Sequence, residues 1–469
     1  MKIYLRTYGC QMNERDSENI AAEFAERGHD IVSDDAVADI IVVNTCSVRE
    51  QAEQKAIGKL GHVLARRNAR RASLPIIGVT GCMAQNRGGQ LMRTLPGIDF
   101  ILGARKTHMV PEIALKMYAR RLGGMCHPKP PRLLRDDPES ADTYLDISDD
   151  LQSHRYINRH LLADAPQTCA YISIMQGCQM NCSYCIVPKT RGIQRSRPPE
   201  EILEEAAKLV DSGTKEITLL GQVANAYGRD IGLGGDAFVG LLRSLDKLDG
   251  LERIRFTSPH PSFFTPQLTG AYAELRTLCE YVHLPLQSGS DRILKLMRRP
   301  YTASKFLEIV SRLREAKPNI SISTDIIVGY PGERDEDFEC TKEIFEKSGF
   351  DMAYIFKYSP RKGTLSAELP DDVPDSVKEG RNAELLDLLA KQSMEYNLRL
   401  VDTEQEILVE SCAKRNPDAI MGRTRTHRKV FFKSSKNLAE LRGKLIGVKI
   451  KSATVAALEG YFYDPESRL

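Results

Sequence analysis

No apolar run in this 469-residue chain approaches the roughly 18 residues needed to cross a bilayer, which excludes a helical membrane protein. The opening MKIYLRTYGC lacks the apolar stretch of a secretory signal, so a soluble, cytoplasmic protein without membrane partners is expected. Net charge is also scarce: 66 Lys and Arg against 63 Asp and Glu leave +3, which excludes a chain that is basic throughout. The charge is uneven, however. From Cys412 to Leu469, 13 Lys and Arg oppose 5 Asp and Glu, a difference of +8, so the remainder carries −5. The 11 cysteines are odd in number, and a reducing cytosol keeps thiols free, so metal binding or catalysis is expected in place of disulfides.

The length suggests about three domains. In the first hundred residues, KIYLRTYG, ADIIVVNT and LPIIGVTG read as strands, each followed by a helical pattern such as that from Asp16 to Arg27. Strands alternating with helices imply a doubly wound parallel α/β domain over residues 1–121. Residues 122–166, rich in Pro, Asp and Arg, read as a linker. A second alternating series fills 167–401, with strands expected at 171–176, 215–220, 253–258, 281–286, 320–329 and 352–359. Six strand-helix units are two short of a closed barrel, so a partly open (β/α) barrel is expected. Residues 402–469 alternate as short strands and suggest a small antiparallel β-barrel.

Cys10, Cys46 and Cys82 each end one of the first three strands, at two spacings of 36 residues. Ligands of open parallel sheets gather beyond the carboxyl ends of the strands, so these three distant thiols should meet. A second group is local: GCQMNCSYC places Cys178, Cys182 and Cys185 just after the first strand of the partial barrel. Its first five letters repeat the GCQMN at Gly9 to Asn13. Structural zinc and a fully protein-bound four-iron cluster each take four ligands, whereas three thiolates leave one metal position open for a substrate. The alternative at this point is a zinc knuckle completed by a remote Cys or His. Cys126, Cys169, Cys279, Cys340 and Cys412 have no such companions and read as buried small residues.

The Cys-x3-Cys-x2-Cys spacing, with Tyr184 before the last cysteine, resembles the signature of radical S-adenosylmethionine enzymes. Further motifs extend that resemblance: Leu219 to Gln222, HLPLQSGS from His283, DIIVGYPGE from Asp325, MRRPYT from Met297 and FKYSPRKGT from Phe356. With TYGCQMN, NTCSVRE around Cys46 and GCMAQ around Cys82, nearly the whole chain resembles the MiaB-type methylthiotransferases. The resemblance implies two four-iron clusters, a radical cluster on Cys178, Cys182 and Cys185 and an auxiliary one on Cys10, Cys46 and Cys82. It also implies S-adenosylmethionine contacts near Gln222, Ser258, His283, Gln287, Ser288 and Asp325. In such enzymes one S-adenosylmethionine yields a 5′-deoxyadenosyl radical and another a methyl group, and the sulfur waits on the auxiliary cluster. Members of this type methylthiolate C2 of N6-dimethylallyl adenosine in the tRNA anticodon stem-loop; relatives act on threonylcarbamoyl adenosine or a ribosomal protein aspartate. A flavodoxin or ferredoxin as electron donor and a monomeric state are expected. Val223 and Lys362 depart from the usual motifs, where Asn and Pro are common.

Two basic runs bear on an RNA partner. ARRNARR, residues 65–71, reads more simply as a solvated helix face. GRTRTHRKVFFKSSK, residues 422–436, holds six Lys or Arg together with Phe431 and Phe432, which suits phosphates and unstacked bases. Residues from about Asp402 resemble the TRAM module, and Arg423, Arg425, Arg428 and Lys429 are the expected RNA contacts. Two readings compete: a two-cluster electron-transfer protein with an RNA-binding tail, and a zinc-bearing RNA-binding module. Neither explains a six-unit barrel.

Overall fold

The computed structural model describes residues 1–47, 50–70, 72–123, 143–161, 167–414, 416–434 and 436–462. They form two units. The first comprises Met1–Asp164, Ser173–Met180 and Cys185–Arg197; the second comprises Ala165–Ile172, Asn181–Tyr184 and Pro198–Leu469.

The first unit is built on six parallel strands: β1 (Lys2–Tyr8), β2 (Asp30–Val32), β3 (Ile40–Thr45), β4 (Ile76–Gly81), β5 (Phe100–Gly103) and β6 (Tyr144–Asp146), in the order β2-β1-β3-β4-β5-β6. Strands β3 and β4 are buried at every position, as continuous Ile/Val runs covered on both faces must be. Successive residues of β3 point to opposite faces. Ile41 and Val43 pack with Leu60 and Val63 of α2 (Glu50–Ala69) and Leu91 of α3 (Cys82–Thr94). Ile40 and Val42 pack with Ile20 and Phe24 of α1 (Gln11–Glu26) and Ile113 of α4 (Val110–Arg121). Each such apolar side chain contributes about 1.5–3 kcal/mol of transfer free energy. The doubly wound expectation is met.

Three of these strands were not legible in the sequence. One of them, β6, corrects the expected 122–166 linker: Tyr144 pairs in register with Phe100 and is buried, so part of that stretch completes the sheet. The rest of it that lies at 124–142 and 162–166, including Cys126, is outside the described residues. The basic run 65–71 is partly absorbed inside the unit, since Arg66 pairs with Asp35 and the buried Arg67 with Asp99.

The second unit carries the partial barrel. Strand β7 (Cys169–Ser173) leads through β8 (Met175–Gln176), which pairs with β9 (Arg195–Ser196) in a short ribbon of the first unit. Strands β10 (Glu216–Leu220) and β11 (Arg253–Phe256) pair in the order β11-β10-β7, and β12 (Tyr281–His283), β13 (Ser321–Val328) and β14 (Met352–Lys357) form a second parallel sheet. An isolated parallel bridge links Ile254 of β11 to Leu278, three residues before β12, and the two sheets together hold the six strands expected.

A closed barrel ends the unit: β15 (Glu404–Ala413), β16 (Asn416–Thr424), β17 (Lys429–Lys433), β18 (Leu445–Ala453) and β19 (Leu458–Tyr461), in the order β15-β16-β17-β19-β18. Its core holds Ile407, Val409, Val430, Phe432, Val448 and Ile450. It departs from the expected antiparallel pattern at one pair, since β17 and β19 run parallel.

Candidate cofactor sites

The order β2-β1-β3-β4 places the reversal of chain direction across the sheet between β1 and β3, the crevice where doubly wound sheets bind ligands. Tyr8, Thr45 and Gly81 are in register across β1, β3 and β4. Cys10, Cys46 and Cys82 therefore stand just beyond three neighbouring carboxyl ends. Two of them also open helices: Cys10 caps α1, and Cys82 is the first residue of α3. Helix amino-termini favour thiolate over thiol.

The turn at Gly9 is shaped around this approach. Its φ is +143°, and a Cβ there would run into the Cβ of Cys46. A hydrogen bond from Cys46, helped by the charge of Arg191, brings the Cys10 thiol down to about 6 against the effect of burial. Burial pushes Cys82 upward despite the same arginine. Arg191 ends α5 (Val187–Arg191), and its Nε donates to Cys82 Sγ at 3.3 Å. Its Nη1 is buried without a hydrogen-bond partner, an unmet donor on the cation that acts on Cys10 and Cys82, and this suits a sulfur-rich anionic group. Among the described residues, no three His, Cys, Asp or Glu side chains are gathered as a ready single-ion site.

The second cysteine group is divided between the units, with Cys178 and Cys185 in the first and Cys182 in the second. Within the first unit, the Cys178 amide donates to Gly192 O at 3.0 Å, and Met180 N donates to Cys178 Sγ at 3.3 Å. Within the second, Arg299 Nη1 stands 3.5 Å from Cys182 Sγ, and Ser183 shares a 2.8 Å hydrogen bond with Tyr330. Thiols receiving N–H donors, as the buried Cys178 and the half-buried Cys182 do, are suited to bind metal as thiolates. Sequence reasoning quoted MRRPYT but did not single out Arg299, and Arg191 was missed altogether, because each meets its cysteine across more than a hundred residues of chain.

The expected S-adenosylmethionine residues all lie in the second unit. His283 Nδ1 is 2.9 Å from Ser323 Oγ, and its Nε2 is 3.2 Å from Asp325 Oδ2, so His283 and Asp325 share one polar strand face. Gln222 Oε1 is buried without a hydrogen-bond partner, an acceptor available to an ammonium. Ser258 and Gln287 follow β11 and β12 with φ of 54° and 68°, left-handed backbone that non-glycine residues adopt at a cost of order 1–3 kcal/mol. Ser288 differs: fully buried, its hydroxyl bonds Thr341 and the Ser290 amide, which braces the turn. Asn225, two residues beyond the motif position, exchanges two hydrogen bonds with the backbone of His260.

Three of the four expected RNA contacts are also engaged within the chain, and of these only Arg428 is buried. Arg423 pairs with Glu410, Arg425 with Glu280 at 2.7 Å, and the buried Arg428 with Asp351 at 2.9 Å. Linear sequence shows the cations but not the carboxylates up to 145 residues away. Lys429 is exposed. On β17, Lys429, Phe431 and Lys433 alternate with the buried Val430 and Phe432. Lys433 is in register with Tyr461 of β19, Tyr461 with Lys449 of β18, and Lys451 Nζ lies 5.2 Å over the Tyr461 ring. The other cysteines vary: Cys279 is buried, Cys169 and Cys412 are half-buried, and Cys340 is exposed on a helix, against expectation.

Residues 172–343 match the family model of the radical SAM superfamily, and residues 2–103 that of the uncharacterized protein family UPF0004. Curated relatives extend over the whole length. A protein of Opitutus terrae is 45% identical over 98% of this chain and 97% of its own, and one of Akkermansia muciniphila is 42% identical over 98% of both. Both are named tRNA-2-methylthio-N(6)-dimethylallyladenosine synthase. Among solved structures, the radical S-adenosylmethionine methyltransferase TsrM of Kitasatospora setae, with cobalamin and a [4Fe-4S] cluster bound, superposes with a TM-score of 0.56 at 15% identity. It covers 78% of this chain and 77% of that one, a likeness of fold.

Proposed function

This chain belongs to the tRNA-2-methylthio-N(6)-dimethylallyladenosine synthases, and on that premise we propose how its residues divide the work. It is a radical S-adenosylmethionine transferase that adds a methylthio group at C2 of N6-dimethylallyl adenosine in tRNA, using [4Fe-4S] clusters and S-adenosylmethionine. When bound, these cofactors supply the one-electron chemistry, methyl group and sulfur needed to replace an aromatic C–H that no acid or base could ionise.

Cys10, Cys46 and Cys82 hold the auxiliary cluster, and Cys178, Cys182 and Cys185 hold the radical one. The observation that carries this assignment is the register of β1, β3 and β4, which ends three adjacent parallel strands in cysteines at the sheet's ligand crevice. Gln222, with its unmet acceptor, and the linked pair His283 and Asp325 orient S-adenosylmethionine in the barrel. Ser258 and Gln287 present backbone groups from strained turns.

The tRNA anticodon stem-loop is bound by the outer face of the terminal barrel, through Lys429, Lys433, Lys449 and Lys451 with Phe431 and Tyr461 interleaved. Cations attract phosphates, and exposed rings accept unstacked bases. A flavodoxin or ferredoxin supplies the electrons, and the enzyme acts as a cytoplasmic monomer. Among the described residues, no helix is long and apolar enough to cross a membrane. Incubation of the reduced, reconstituted protein with S-adenosylmethionine and tRNA bearing dimethylallyl adenosine, followed by mass analysis of the nucleosides, tests the activity. Exchange of one hydrogen for SCH3 on that nucleoside is expected; unmodified nucleoside with intact clusters would refute it.

A further inference from the structure

A buried cation bonds the auxiliary cysteine Cys82, and it comes from the segment that also carries Cys185. Arg191 lies six residues after Cys185 at the end of α5, in the same unit as Cys10, Cys46 and Cys82. Its side chain is 3% exposed and lies 2.7 Å from the carboxylate of Asp16 on α1, itself 1% exposed. Helix α5 packs on α3, the helix that Cys82 opens. A buried guanidinium is stabilised when both its charge and its five donors are answered. Asp16 answers the charge and Cys82 takes the Nε–H, while Nη1 has no acceptor.

Metal ligands are commonly held by an outer partner that is itself anchored, as when a carboxylate orients a histidine on zinc. Asp16, Arg191 and Cys82 form the analogous chain with a guanidinium in the middle. Building on the cluster assignment above, we propose that Arg191, fixed by Asp16, is the outer-shell donor of the auxiliary cluster. Its Nε bonds the Cys82 thiolate, and its Nη1 is satisfied by sulfur that arrives with the cluster. Arg191 is thus a positioning residue, and it acts on the cluster's electronics. A cation and N–H donors beside an iron-sulfur cluster stabilise its more negative, reduced form and raise its reduction potential. The charge is permanent at any working pH.

The test uses full-length protein with Cys178, Cys182 and Cys185 replaced by Ala, so that only the auxiliary cluster assembles, and reads its midpoint potential by EPR-monitored reductive titration. Absence of iron in this parent protein would sink the cluster assignment itself. With about four irons in place, Arg191→Gln is expected to lower the potential by about 59 mV, a tenfold change in a one-electron equilibrium. Arg191→Lys keeps the charge but loses the planar fork, and a smaller drop of about threefold in the same equilibrium is expected. An unchanged potential in Arg191→Gln with its irons retained would overturn the proposal. Should Arg191→Gln fail to assemble a cluster, an unchanged potential in Arg191→Lys would do so.

Discussion

Arg428 and Asp351 form an ion pair of 2.9 Å in which the two side chains are only 4% and 3% exposed. The pair fastens the start of β17 to the strand-helix series of the partial barrel, and Arg428 also lies 4.4 Å over the ring of Tyr396. Burial raises the Asp351 carboxyl even though Arg428, foremost, and the Ile322 amide oppose the shift, so the arginine is the main support of the charged form. Arg428→Ala should destabilise the second unit by about 3–5 kcal/mol, because it strands a buried carboxylate. Chemical denaturation checks this, and a loss confined to tRNA affinity at unchanged stability would contradict it.

The opposite pattern is expected on the outer face of the barrel. Lys433→Ala with Lys449→Ala should leave stability within about 0.5 kcal/mol of the parent. tRNA binding should weaken, and the slope of log affinity against log salt should fall by roughly 0.7–0.9 for each phosphate no longer neutralised. Filter binding across a salt series reads both numbers. An unaltered slope would move the RNA interface elsewhere.

His260 gives the protein a pH dependence of stability. Burial, and then the charge of Arg299, push its imidazole down to about 2. The folded state keeps His260 neutral, while the unfolded chain takes up a proton below about 6.5. A depressed base thus contributes stability that is complete above pH 6.5 and lost as pH falls, by up to about 1.4 kcal/mol per unit. Relative to wild type, His260→Asn should show a flatter decline in stability between pH 7 and 5.5. Parallel declines would contradict this assignment.

Gly9→Ala should act on metal content through the Cys10 turn. Its φ of +143° and the collision with the Cys46 Cβ oppose any side chain there. The variant should retain the radical cluster's iron and lose about four irons from the auxiliary site. A full iron complement would show that the turn relaxes freely.

The sequence carried much of this organisation because its signals were periodic or chemical. Ile/Val runs with intervening helices located the sheet and the six barrel strands, and the equal spacing of Cys10, Cys46 and Cys82 located their shared edge. Short elements escaped: Asp30–Val32 and Tyr144–Asp146 are three residues each, too few for alternation to register. Partners distant in the chain escaped as well. The run at 422–436 reads as cationic, yet Glu280 and Asp351 claim two of its arginines from other elements. Arg191 offered no pattern, since its meaning depends on Asp16 and Cys82 from two other helices.

The central claim is that two separate three-cysteine sites each hold a four-iron cluster. Iron and sulfide content with Mössbauer spectra, on anaerobically reconstituted wild type and a Cys10→Ala, Cys46→Ala, Cys82→Ala variant, tests it most directly. About eight irons should fall to about four, all in cubane clusters. Four irons in both proteins would contradict the account, because the strand-end cysteines would then hold no cluster.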